Sequence, residues 1–465
     1  MRVLLAVSLA TLALAGCIGD SDDPTDPNNP QFAGYKAPIF SNSTIFDDVR
    51  AGGEPVITIL PSGTILTSAH PGWTHLHPKD PTTVATDLLV PANAQSYLWR
   101  STDNGTTWNH VNLVEPVDNA PRSAALGVSD PEFTILDDGT VCMTDLIALA
   151  SSSVSCSSDD GQTWLPGNSL ASGGVNDRQW LASTGNELYF TANYFVDHRI
   201  QASNDNGLTW EIRGDVPCSQ DLISNPHTDH LIVGCPDGIA VSEDAGFTWT
   251  RHVANDTYGG PRIMTEPAID ASGMVWMAFQ NSERDIFISG TPDEGKTWVH
   301  NYTVSKHFQA FAGNDEFTGT YVWPWISAGS EGRFAVSWFG SYTDEPSDVQ
   351  SGPWYTFTAF FYGAETGNPS VFVDEFSSGP IHLQPICQSG TTCQVVSVTG
   401  NPEGDRRLGD FFETTIDAHG YLHGTWSNTA AEPEDVVSHV EYAKQIGGTP
   451  LLKPEDVGVF MPTQG

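Results

Sequence analysis

The chemistry-bearing residues of this chain recur at the starts of similar short segments. Glu54 opens EPVITILPSGTILTSAH, and Asp130, with Glu132, opens DPEFTILDDGTVCMTDL. Asp177-Arg178-Gln179 opens a third segment, Glu266 lies in TEPAIDASGMVWMAFQ, and Arg406-Arg407-Leu408-Gly409-Asp410 precedes DFFETTIDAHGYLHGTW. Two converging carboxylates can share general acid and base work, and a guanidinium beside them can orient an anion. Carboxylates that converge repel one another unless they are paired with Arg, protonated or bridged by a cation. Asp177, Arg178, Asp130, Glu266 and Asp410 are therefore the candidate catalytic set. Glu54, Glu132, Arg406 and Arg407 are candidate binding groups, with Trp73 and Trp325 as flat faces for a sugar ring. His70, His75 and His77 fall within eight residues and carry the chemistry of a divalent-metal site, or that of polar loop residues packed by Trp73. No cofactor is certain from the sequence; Ca²⁺ or another divalent cation is the one considered.

These groups need a scaffold, and internal repeats define it. The segments starting near Glu54, Asp130, Asp177, Ser219, Thr265, Trp325 and Asp410 each read as an alternating strand, a turn and a second strand. Another motif, S/T-x-D-x-G-x-T-W, recurs five times, with its aspartates at Asp103, Asp159, Asp205, Asp244 and Asp293. The Asp accepts hydrogen bonds from turn amides, the Gly takes the left-handed position, and the Trp anchors the returning strand. The Trp residues of the motif lie 56, 46, 39 and 49 positions apart. That period suits one four-stranded propeller blade per repeat. The expected fold is all-β: a single β-propeller of seven blades, with six as the alternative. Pro38–Arg50 is placed as an outer strand that closes the last blade.

The motif closely resembles the Asp-box, or BNR repeat, of sialidases and related propellers. The resemblance implies a structural role for the five aspartates, far from any active site. It also implies that ligands use the opposite face, around the central funnel, where the inner strands begin. The scaffold matches, whereas the catalytic set of the sialidase family does not. Arg50 and Arg100 do not stand in the family's Arg-Ile-Pro-like context, and Asp410-Phe411-Phe412-Glu413 supplies no Tyr. Whether the chain is an enzyme is left open. One reading is a non-catalytic module that recognises an extracellular glycan or a surface protein. The other is a glycosidase, sialidase-like or divergent, that uses funnel carboxylates.

The ends of the chain carry an address. Residues 1–16 have a short basic start and an apolar run, and end in Leu14-Ala15-Gly16 before Cys17, which resembles a lipobox. Residues 17–33 are then a lipidated Cys and a flexible acidic tether, and residues 34–465 form the propeller. Six further cysteines fall in close pairs, Cys142 with Cys156, Cys218 with Cys235 and Cys387 with Cys393, as disulfides of an oxidising exterior would. The expected location is the outer face of a prokaryotic membrane, reached through the lipid anchor alone, as a monomer. Asp and Glu number 57 against 19 Lys and Arg, a net charge of −38, which excludes a nucleic-acid footprint.

Overall fold

Seven antiparallel sheets account for nearly all the regular structure of the described residues. The structure is a computed structural model. It describes residues 34–459 except 49, 51, 71–95, 112–128, 148–150, 167–169, 171–175, 195–197, 255–262, 281–284, 314–318, 350–351, 389–404 and 432–437. The proposed leader, Cys17 and the tether lie outside the described residues, as do Trp73, His75, His77 and Cys393.

Each sheet is one blade, and the fold is a seven-bladed β-propeller. The inner strands are Gly53–Ile59, Ser129–Ile135, Asn176–Thr184, Leu222–Ser224, Ile263–Ile269, Thr320–Ala328 and Glu413–Ile416. Blades one to six run outward in chain order. The seventh takes three strands from the C-terminal part and its outer edge from the start of the fold. Ile39–Phe40 and Thr44–Ile45 both pair with His439–Gly447. This closes the ring and leaves no open seam between first and last blade.

The five repeated turns explain why the blades hold their shape. In each, the Asp Oδ1 accepts the backbone N–H of the Thr four residues on, for example 2.8 Å for Asp205 to Thr209 and 2.7 Å for Asp244 to Thr248. Its Oδ2 accepts the hydroxyl of that same Thr. The Ser or Thr that opens the motif accepts the N–H of the Gly, at 2.9 Å for Ser203 and Gly207. The hydrogen bonds of Thr107 hold the Asp103 carboxyl down at about 2.

The residue after the turn Asp reaches the preceding blade. Asp160 accepts from Thr64 Oγ1 at 2.7 Å and pairs with Arg100. Glu294 accepts from Asn225 Nδ2 at 2.6 Å and Thr228 Oγ1 at 2.8 Å, and faces His230 Nδ1 at 2.7 Å. Blades six and seven lack the motif. There the C-terminal segment does the joining: Leu451 N donates to Gly420 O at 2.8 Å, and Ser330 N donates to Leu451 O at 3.0 Å. Leu451 and Leu452 are buried in the cluster that also holds Trp354, Phe412 and Trp426.

Disulfides join Cys142 to Cys156 and Cys218 to Cys235. Cys387 is also disulfide-bonded.

Candidate functional site at the funnel mouth

Five inner strands begin with the same local irregularity. A register shift lies between Gly53 and Val56, Ser129 and Glu132, Asp177 and Gln179, Ile263 and Glu266, and Val322 and Trp325. At each bulge a non-glycine residue takes the left-handed conformation: Glu54 (φ 47°), Asp130 (47°), Arg178 (49°), Met264 (53°) and Trp323 (54°). Such backbone costs ~1–3 kcal/mol per residue and clusters where side chains must be re-aimed. Blade seven uses Gly409 (φ 79°) instead, for a steric reason: a Cβ there would meet Glu54 Cγ at 2.1 Å.

The re-aimed side chains meet. Asp410 Oδ2 accepts from Arg406 Nη2 at 2.6 Å and lies 2.7 Å from Arg178 Nη2. Asp410 N donates to Glu54 Oε1 at 2.7 Å. Glu54 Oε2 lies 3.2 Å from His70 Nε2, and Arg178 N donates to Asp130 Oδ2 at 3.2 Å. The other guanidinium nitrogen of Arg178, Nη1, donates to Met264 Sδ at 2.7 Å. Burial raises the cost of ionising Glu54. His70, Asp130 and Arg406 outweigh it and hold the carboxyl well below the usual range. Glu54, Asp130, Arg406 and Asp410 are buried, whereas the Arg178 side chain is 25% exposed and Asp177 is half-buried.

Four of the five candidate catalytic residues thus gather at one mouth: Asp130, Asp177, Arg178 and Asp410. The fifth, Glu266, sits deeper, 1% exposed. With it in depth stand Glu132, Asp221 and Glu413, all 3% exposed or less. Glu132 hydrogen-bonds with Glu413, and Asp221 with Glu266. Sequence reasoning did not assign Asp221 or Glu413 a role. The signal was partly present for Glu413: it follows the left-handed Gly409 of its blade by four positions, where Glu132 and Glu266 follow Asp130 and Met264 by two.

Three expectations need correction. Arg406 and Arg407 do not act together: they open a tight turn, in which Gly409 N donates to Arg406 O at 2.9 Å, and their side chains take different partners. Arg406 joins the mouth, while Arg407 binds Asp405, with Nε 2.7 Å from Oδ2. Trp325 offers no stacking face: it is buried and donates its indole N–H to Thr414 O at 3.1 Å. His70, the described member of the histidine trio, faces Glu54 instead of an open loop. Among the described residues, the set with three potential ligand atoms within 4.8 Å of one another is His230, Glu243 and Glu294. It lies at the turn face, and there Glu294 is taken up by the latch between blades four and five.

No family model matches the chain, and no curated protein matches it. Solved structures do. A fungal alcohol oxidase in complex with copper has 11% identity and a TM-score of 0.53, over 89% of this chain and 76% of that one. A sialidase from Streptococcus pneumoniae has 12% identity and a TM-score of 0.42, over 88% and 70%. An α-L-arabinanase from Penicillium chrysogenum has 15% identity and a TM-score of 0.41, over 90% and 98%. The likeness is one of fold.

Proposed function

We propose that the chain is an extracellular, lipid-anchored recognition module that binds a glycan at the funnel mouth without cleaving it. The anchor is Cys17, the stalk is residues 17–33, and the propeller of residues 34–465 presents the mouth. One observation carries the reading: the mouth carboxylates Asp410, Glu54 and Asp130 are taken up by internal partners, while the Arg178 guanidinium stays partly exposed above them. Asp410 is held by two guanidiniums, Glu54 by an amide and His70, and Asp130 by the Arg178 amide. A nucleophile or general base locked in this way is not available to a sugar. An arginine fixed by Asp410 can still offer its remaining N–H groups to hydroxyls or to an acidic sugar in a set direction.

A second reading is a divergent glycosidase. Its support is the deep acid pairs, since a general acid must be neutral near the working pH and burial pushes Asp221 up to about 7. Asp221 is buried and engaged with Glu266 and Leu222 N.

A panel of fluorogenic glycosides, sialosides included, separates the readings. Binding without turnover is the expected result. Turnover that vanishes in Asp177→Asn or Asp221→Asn establishes the glycosidase.

A further inference from the structure

Glu132 of blade two touches Glu413 of blade seven, although blade one lies between them in the ring. Such a contact crosses the inner rim of the propeller. Asp221 of blade four touches Glu266 of blade five, and the charge of Asp221 is felt at Glu132 and Glu413. Four carboxyls from four blades therefore share one buried interior.

Their donors are few. Ile57 N donates to Glu413 Oε2 at 3.1 Å, Phe133 N to Glu132 Oε1 at 2.9 Å, and Leu222 N to Asp221. Glu132 Oε2, Asp221 Oδ1, Glu266 Oε2 and Glu413 Oε1 receive no donor hydrogen from the described protein residues. So does Thr425 Oγ1, on the residue directly opposite Glu413 in the next strand. The cation facing the group is Arg178, felt by Glu266 and already engaged with Asp410. The mouth layer adds Glu54, Asp130 and Asp410, with His70, Arg406 and Arg178 as their partners.

Four buried anions around one shared guanidinium would not survive dehydration. Either protons or a metal ion must neutralise them. An ion as hard as Ca²⁺ needs several oxygens converging on one point. Among the described residues, no three of these carboxylates bring ligand atoms within 4.8 Å of one another. They meet in twos, the geometry of a shared proton.

We propose that the pairs Glu132–Glu413 and Asp221–Glu266 hold protons at neutral pH and form a proton-dependent lock joining blades two, four, five and seven. The direction of titration agrees. Burial pushes Asp221 up to about 7, against the hydrogen bonds from Leu222 N and Glu266, and burial together with nearby carboxylates puts Glu132, Glu266 and Glu413 well above their ordinary range. Groups raised on folding stabilise fully below their unfolded values, near 4, and lose that contribution as pH rises through the folded values. Alkaline conditions therefore open the lock.

The test is urea unfolding of the whole protein between about pH 6 and pH 9 at one high salt concentration, beside Glu413→Gln and Glu266→Gln. Gln keeps the shape and a hydrogen-bond donor but not the charge. The folding constant of the unmodified protein is expected to fall by about tenfold per pH unit for each proton lost, and each variant to show a shallower slope. A midpoint that does not move with pH, or an unchanged slope in both variants, overturns the proposal. So does a gain in midpoint with Ca²⁺ at pH 8 that both variants abolish, which would assign an ion to the site. Should the variants fail to fold, proton release on unfolding of the unmodified protein at pH 7.5 decides: about one proton or more per molecule is expected, and none contradicts it.

Discussion

Arg178 Nη2 lies 2.7 Å from Asp410 Oδ2 and so ties the start of blade three to the approach of blade seven across the mouth. The bulge that puts Arg178 at φ 49° aims the side chain there, and Asp410 also receives Arg406. Arg178 is therefore fixed at one end and open to ligand at the other. Replacing it with Ala is expected to weaken glycan binding by about tenfold to a hundredfold, the scale of one or two charge-assisted hydrogen bonds. Asp410 keeps Arg406, so the unfolding midpoint should move little. Titration calorimetry beside a thermal melt checks both halves.

Ring closure depends on few residues. Ile39–Phe40 and Thr44–Ile45 are the outermost strands of blade seven, and Phe40 packs tilted against Phe376 at 4.6 Å between ring centres. A chain beginning at Gly52 should melt several degrees lower and expose the edge of His439–Gly447 to self-association. Melting and light scattering of the two forms test this. Equal melting would mean that closure does not rest on these strands.

Asp270 is a buried structural acid of the inner hairpin of blade five. It accepts from Ser272 N at 2.9 Å, Trp276 Nε1 at 2.9 Å and, from blade six, Gly332 N at 2.9 Å. Asp270→Ala leaves those donors dry and unpaired. The expected loss is about 3 kcal/mol or more in urea unfolding. A loss under about 1 kcal/mol would mean that water replaces the carboxylate.

Acid should act opposite to alkali. Burial pulls His382 and His307 down to about 4. A histidine kept neutral on folding stabilises fully above its unfolded value of 6.5, and that contribution is lost as pH falls through about 4. Each shift corresponds to roughly 3 kcal/mol at most. Together with the buried pairs Glu132–Glu413 and Asp221–Glu266, whose contribution is lost as pH rises, this predicts a maximum in mild acid. His382→Gln should flatten the acid limb in denaturation followed from about pH 7 to pH 4. An acid limb as steep as that of the unmodified protein would remove His382 from the account.

The fold was legible because its repeats are written twice: in the S/T-x-D-x-G-x-T-W turns and in the inner hairpins, which have a common pattern of residues. The closing strands could be placed because an open ring leaves an edge. The site was legible to the level of position. Each candidate at the start of an inner strand does stand near the mouth, but alternation and bulging decide which side chains enter it. That is why Glu266 lies deep, while a tight turn at Arg406–Gly409 sends Arg406 and Arg407 to different partners. Trp325 shows the same limit, since a tryptophan that could stack on a sugar can equally pack between blades. Asp221 was hidden because blade four has a short inner strand, Leu222–Ser224, with a weak start.

The central claim is recognition through Arg178. The most direct measurement is a glycan array probed in parallel with residues 34–465 and the Arg178→Ala variant, both shown to be folded. A defined set of glycans bound by the first and lost by the second is the predicted result. Undiminished binding by the variant, or no glycan bound by either, would contradict it.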